Sequence, residues 1–168
     1  MSRFDRKAYL ASPPTIYQRI AAIVGPALIL GAAVFLLLMW RSIPERIPTS
    51  FDISGEPNAW DSRNSLWAMP VIGAFAMLTF ALVGRFPSTW NTGIRVTEEN
   101  RPFVYRAIRD MIADMEISMG VFFCGFTVFS ATVPESMSPF IIVPIFVLIL
   151  WPIVRLLIRF IRIKRAFG

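Results

Sequence analysis

Between Arg19 and Arg41 the chain carries no charged residue at all. A helix rises 1.5 Å per residue, so this stretch is long enough to cross a hydrocarbon core about 30 Å thick. It is also much longer than the apolar region of a cleaved secretory signal, roughly 7–15 residues, and no small-residue cleavage site follows it. It therefore reads as a retained membrane helix. Three further windows have the same character: Leu66–Val83, Ile117–Val133 and Phe140–Leu157. Together they predict an all-α integral membrane protein, one membrane domain with four transmembrane helices at 20–40, 66–83, 117–133 and 140–157. None of the four windows contains an Asp, Glu or Lys. Ion-coupled transporters bury such a group near the midplane, so a proton-coupled pump is disfavoured.

The charges that the windows exclude are gathered between them. Of 17 Lys and Arg, four lie in 1–19, three in 41–65, five in 84–116, none in 134–139 and five from Arg155 onward. Alternate sides therefore hold fourteen and three. The positive-inside rule predicts an inner-membrane-type multi-pass protein with segments 1–19, 84–116 and 158–168 cytoplasmic. The basic excess meets anionic lipid headgroups on this reading, and no separate polar module is present to bind nucleic acid. Arg155, Arg159 and Arg162 share one helical face, followed by Lys164 and Arg165; the expectation is contact with anionic lipid, the stem of Arg155 snorkelling. With no histidine and only Cys124, neither a transition-metal site nor an internal disulfide is expected, and no cofactor is implied.

Two connections have structure of their own. In 84–116, Thr97 or Asn100 can cap a helix, with Pro102 in its first turn. Phe103, Ala107, Ile108, Met111, Ile112 and Met115 then recur at helical spacing, while Arg106 and Asp110 form an i,i+4 pair. This predicts a cytoplasmic, amphipathic interfacial helix that turns into the third span. The outside loop 41–65 holds Pro44, Pro48 and Pro57, which rule out a helix. It predicts an extended segment over 43–53, a turn at Ser54-Gly55-Glu56-Pro57, and re-entry near Trp67. Asp52, Glu56 and Asp61 in this loop lack the rhythm of a calcium loop and read as a solvated face. Small-residue pairs Ala21/Gly25 and Ala27/Gly31 permit close helix approach, and Ser118, Thr127, Ser130 and Thr79 read as helix-packing hydrogen bonders.

The spacing Pro44-x-x-Ile47-Pro48-x-Ser50-Phe51-x-x-x-Gly55-x-Pro57-x-x-Trp60-x-x-Arg63 resembles the signature of the domain of unknown function 1648, best known from SdpI-type membrane proteins. One of these is an immunity protein with a signalling role against a peptide toxin. Ser50 stands where that pattern has histidine, and Arg63 where it has lysine. The stretch from Asn91 through Glu99, Asn100, Arg101 and Tyr105 is similar to the segment these proteins carry after their second span. The resemblance covers roughly 20–133.

No catalytic residue emerges from the sequence. The resemblance implies a non-enzymatic membrane protein whose outside loop recognises a ligand or partner in immunity or sensing. Two other readings stay open: an accessory or structural subunit of a larger membrane complex, and a small transporter component. Expected partners are membrane lipids and either a protein partner or a second copy.

Overall fold

The computed structural model describes residues 13–86, 90, 92–133 and 135–167. Four helices run alternately up and down: α1 (Ile16–Met39), α2 (Ala68–Arg85), α3 (Arg101–Ala131) and α4 (Ile142–Phe167). Among the described residues these four are long and apolar enough to cross a membrane, and the protein is a multi-pass membrane protein. Between α1 and α2 the chain makes an antiparallel hairpin, β1 (Arg46–Phe51) and β2 (Pro57–Ser62), then a 3-10 turn over Arg63–Trp67. The hairpin defines one end of the bundle. The other, where α1 begins and α4 finishes, is the basic end.

Local chemistry sets the helix starts. Gln18 N–H donates to the Thr15 hydroxyl at 3.3 Å and Thr15 N–H donates to Gln18 Oε1 at 3.1 Å, closing a capping box on α1. Before α3, Thr97 N–H donates to Asn100 Oδ1 at 2.9 Å and Asn100 Nδ2 donates to the Arg95 carbonyl at 3.0 Å. Asn100 thus organises the turn leading into α3 and puts no side-chain cap on the helix itself.

Helix α3 is the hub, packing on α1, α2, α4 and the hairpin, with its largest interface on α1. That interface is a stripe of small and branched residues: Ala21, Gly25, Ile29, Ala32 and Leu36 are all buried. At the crossing, a Cβ added to Gly25 would lie 2.6 Å from the Glu116 carbonyl oxygen, and one on Gly120 2.9 Å from that of Gly25. Backbone meets backbone there, which only glycine allows. The expected close approach at Ala21/Gly25 is therefore present. Gly31 of the second expected pair is exposed and has nothing within 4 Å of an added Cβ. Thr127 and Thr79 each bond a carbonyl of their own helix, Phe123 at 2.7 Å and Phe75 at 2.9 Å.

One expectation needs correcting. The amphipathic stretch before the third span is not a separate interfacial helix that turns into the membrane. Residues 101–131 form one continuous helix of 31 residues, about 46 Å long. It exceeds a 30 Å core by roughly half, so its charged first half begins outside and runs into the bundle. Hydropathy placed a boundary at Ile117 because the carboxylates just before it looked solvated. They are buried.

The α1–α3 crossing gives a contrast that can be measured. Gly25→Leu should cost about 1–3 kcal/mol through overpacking against the α3 backbone, whereas Gly31→Leu should be close to neutral. Reversible unfolding in detergent or bicelles distinguishes them, and equal tolerance of both would place the crossing elsewhere.

Candidate functional sites at the two ends of the bundle

At the hairpin end the expected extended segment is present as β1, but the turn comes two residues earlier than expected, over 52–55 with Gly55 N–H donating to the Asp52 carbonyl at 3.0 Å, and Pro57 begins a second strand. Ile43 and Ile47 are buried with Leu36, Leu66 and Ala131, so the hairpin is seated on the helix tops by a small core. Phe51 meets Phe129 of α3, with ring centroids 6.3 Å apart. The register shifts around Ser50, which frees Thr49 from pairing and turns the strand at that point.

The turn is organised by Asp52. One carboxylate oxygen accepts from Ser54 Oγ at 2.6 Å, Ser54 N–H at 2.9 Å and Glu56 N–H at 3.0 Å. The Ser54 hydroxyl and then the Glu56 and neighbouring amides hold this carboxyl below the ordinary aspartate value, although it is fully exposed. Gly55 has φ +90°, and its carbonyl accepts from Met137 N–H at 2.8 Å. An added Cβ would strike the Met137 carbonyl oxygen. Gly55 is required both for its backbone angle and for contact with the α3–α4 connection.

Arg63 closes the hairpin's base. Its Nη1 donates to the carbonyls of Trp40 at 3.2 Å and Ile43 at 3.0 Å, and its guanidinium stands 5.0 Å from the Trp40 ring centroid. It thereby satisfies carbonyls left open where α1 ends. Trp40 lies beside Trp67, with centroids 6.0 Å apart.

With this geometry in hand, residues 27–74 match the family model described as a domain of unknown function, DUF1648. Over that stretch the chain is similar to the DUF1648 domain. An uncharacterized protein of Archaeoglobus fulgidus is 26% identical over 132 residues, 68% of this chain and 72% of that protein. No solved structure matches significantly.

The matched segment runs from the middle of α1 through the hairpin into α2, and the geometry divides its motif in two. Ile47, Pro48, Gly55 and Arg63 hold the hairpin, Phe51 and Pro57 are half-buried along it, and Pro44, Ser50 and Trp60 face out. The second segment lies at the basic end, about 36 Å away along α3. There Trp90 Nε1 donates to the Val83 carbonyl at 2.8 Å, and its ring stands edge-on to Tyr105 at 5.9 Å, tying α2 to α3. Asn100 is buried in its turn, Arg101 is half-buried, Glu99 is exposed, and Asn91 lies outside the described residues. The structure does not bring the two segments together.

The basic end contains a cluster that the sequence reading missed. Asp110 pairs with Arg159, and Asp114 with Arg155. Gln18 Nε2 donates to Asp110 Oδ1 at 2.6 Å, Tyr17 Oη donates to Asp114 Oδ1, and Arg155 stands 5.5 Å from the Tyr17 ring centroid. Asp110 and Asp114 are 6% and 4% exposed, so these carboxylates sit inside the protein. Among the described residues, Asp114 Oδ2 has no hydrogen-bond donor. Two assignments change as a result. Asp110 pairs across helices with Arg159, where Arg106 on its own helix was expected. Arg155 and Arg159 face carboxylates, where anionic lipid was expected; Arg162, Lys164 and Arg165 remain exposed. The available signal was matched spacing: acids at i,i+4 on one helix and arginines at i,i+4 on another.

Two measurements probe these ends. Asp114→Ala should destabilise the bundle by about 3 kcal/mol, because it strands the Arg155 charge, while the paired replacement Asp114→Leu with Arg155→Leu should lose much less. Unfolding in bicelles reads both; a double variant as weak as the single one would contradict the pairing. At the hairpin, a lowered carboxyl value in the folded turn favours the turn above the unfolded pKa, and that contribution is lost as pH falls through the folded value. Trp60 fluorescence should therefore shift in acid, below about pH 4, and Asp52→Asn should flatten that response.

Proposed function

We propose that this DUF1648 protein is a non-enzymatic recognition protein of the cytoplasmic membrane, with both termini inside and the hairpin outside. The orientation rests on the fourteen-to-three division of Lys and Arg. The observation that carries the recognition reading is at the hairpin. It is seated on a core, closed by Arg63 and bonded to Met137, yet it displays Ile53 at 98% and Trp60 at 52% exposure. A rigid platform with exposed apolar and aromatic side chains suits binding of a ligand or partner, since little ordering cost remains. Immunity or sensing is the role that the resemblance to SdpI-type proteins suggests.

A second reading, an accessory subunit of a larger complex, is favoured by Trp151. This residue is 56% exposed about 14 Å into α4, near mid-membrane, whereas tryptophan concentrates at membrane interfaces. A protein neighbour on that face would account for it.

Trp60→Ala with Ile53→Ser should abolish protection or signalling in a toxin-challenge assay while leaving membrane insertion and melting unchanged. Gly55 variants are unsuitable for this test because they unseat the hairpin. Retained activity in the double variant would refute hairpin recognition. Native electrophoresis of gently extracted protein separates the two readings: a large stoichiometric complex supports the subunit, a small homogeneous species the recognition protein.

A further inference from the structure

Glu116 is 8% exposed, yet among the described residues its carboxylate has no hydrogen-bond or ion-pair partner. It differs in this from Asp110 and Asp114, whose charges are met by α4. On α3, Glu116 is about 22 Å below the hairpin-end terminus at Ala131, which puts it about 8 Å inside the basic-end face of a 30 Å core. A bare carboxylate at that depth costs several kcal/mol unless something neutralises it.

The surroundings suggest what that is. Glu116 lines a groove of about 430 Å³ between α1, α2 and α3. The groove runs from the basic end, where Arg85 and Arg109 line it, to Pro26 and Met77 at the level of Glu116. Met77, Phe80 and Pro26 give it apolar walls. Arg109 precedes Glu116 by two turns, about 10 Å along the axis. A molecule entering from the basic end therefore meets positive charge, then an apolar passage, then a negative charge. That sequence repels a bare inorganic cation at the mouth and gives a simple anion nothing at the base. It complements a molecule with an ammonium at its leading end, an aliphatic body and an anionic group behind.

We propose that this groove is a binding site for a small zwitterionic amphiphile, its ammonium on Glu116 and its anionic group toward Arg85 and Arg109. Lipid headgroups are a poor match. Their order from the membrane core outward is phosphate then amine, the reverse of the arginines-outside, glutamate-inside order of the groove.

The test uses the full chain in nanodiscs and equilibrium dialysis of radiolabelled 4-aminobutyrate, 6-aminohexanoate and 8-aminooctanoate, with hexanoate and hexylamine as competitors. At least one amino acid should bind saturably at one per chain, and each competitor, having only one of the two charges, should displace it weakly. Glu116→Gln should weaken binding roughly tenfold to a hundredfold, the loss of one charged hydrogen bond. Ala22→Phe, which fills the groove from an exposed position on α1, should do the same with Glu116 intact, so the outcome does not hinge on one variant's folding. Absence of saturable binding by all three probes to wild-type protein of normal helicity would overturn the proposal. So would binding unchanged by both variants, or displacement by hexanoate as effective as by the parent probe.

Discussion

An ionised carboxylate in hydrocarbon is tolerated only when an opposite charge reaches it with good geometry, and α3 carries Asp110 and Asp114 into the bundle one turn apart. Arg155 and Arg159 on α4 have the same one-turn spacing, and antiparallel packing brings Asp110 to Arg159 and Asp114 to Arg155. The two pairs fix both the direction and the register of α4. This matters because α4 buries little else: most of its apolar side chains face outward. A helix so poorly supported by packing needs a specific polar contact to hold one position, and the ladder supplies it. Tyr17 and Gln18 extend the same cluster to the start of α1, so three helices meet at one set of charges.

The register set at the basic end has consequences at the hairpin end. With α4 fixed against α3, the connection between them passes beside the hairpin turn, and Met137 donates its amide to Gly55. The glycine crossing of α1 and α3 performs a related task from the other side, holding Leu36 and Ala131 close enough to share a core with Ile43 and Ile47. The hairpin is too small to be stable alone, since an isolated two-stranded ribbon is marginal in water. It is held because three separate parts of the bundle contact it, and each is positioned by packing or pairing elsewhere along α3.

The spans, their alternation and the extended-turn character of the loop were legible in the sequence, because each rests on local composition: charge-free windows, proline, and glycine followed by proline. The Ala21/Gly25 approach was legible for the same reason. What stayed hidden depends on partners distant in sequence. Asp110 and Arg159 are 49 residues apart, Asp114 and Arg155 are 41. Read alone, the acids belonged to a solvated helical face and the arginines to headgroup anchoring, and each error supported the other. The helix boundary at Ile117 failed with them. Hydropathy scores a charge without asking whether it is buried or neutralised, so it ended the span at Glu116, two residues short of the first paired carboxylate, Asp114. The inactive half of the expected small-residue motif, Gly31, shows the converse limit: spacing permits a close approach, but only an available neighbour makes one.

The hairpin allows a sharper statement about the serine that replaces the histidine of the resembled pattern. Residues that hold the platform are recognisable by what they touch: Ile47 in the core, Gly55 against Met137, Arg63 on the open carbonyls of α1. Arginine at position 63 keeps the positive charge of the pattern's lysine, and its Nη1 alone reaches both carbonyls while the guanidinium stands over Trp40, so the seat is held with this departure in place. Ser50 belongs to the other class. It is exposed, adjoins the irregularity in β1 and faces Ala59, a partner too small to constrain it. A change there leaves the fold alone and alters what the outer surface offers: a hydroxyl that never titrates near neutrality in place of an imidazole that does. The hairpin's architecture and its surface chemistry are therefore separable in this protein, and the departure at position 50 falls wholly on the second.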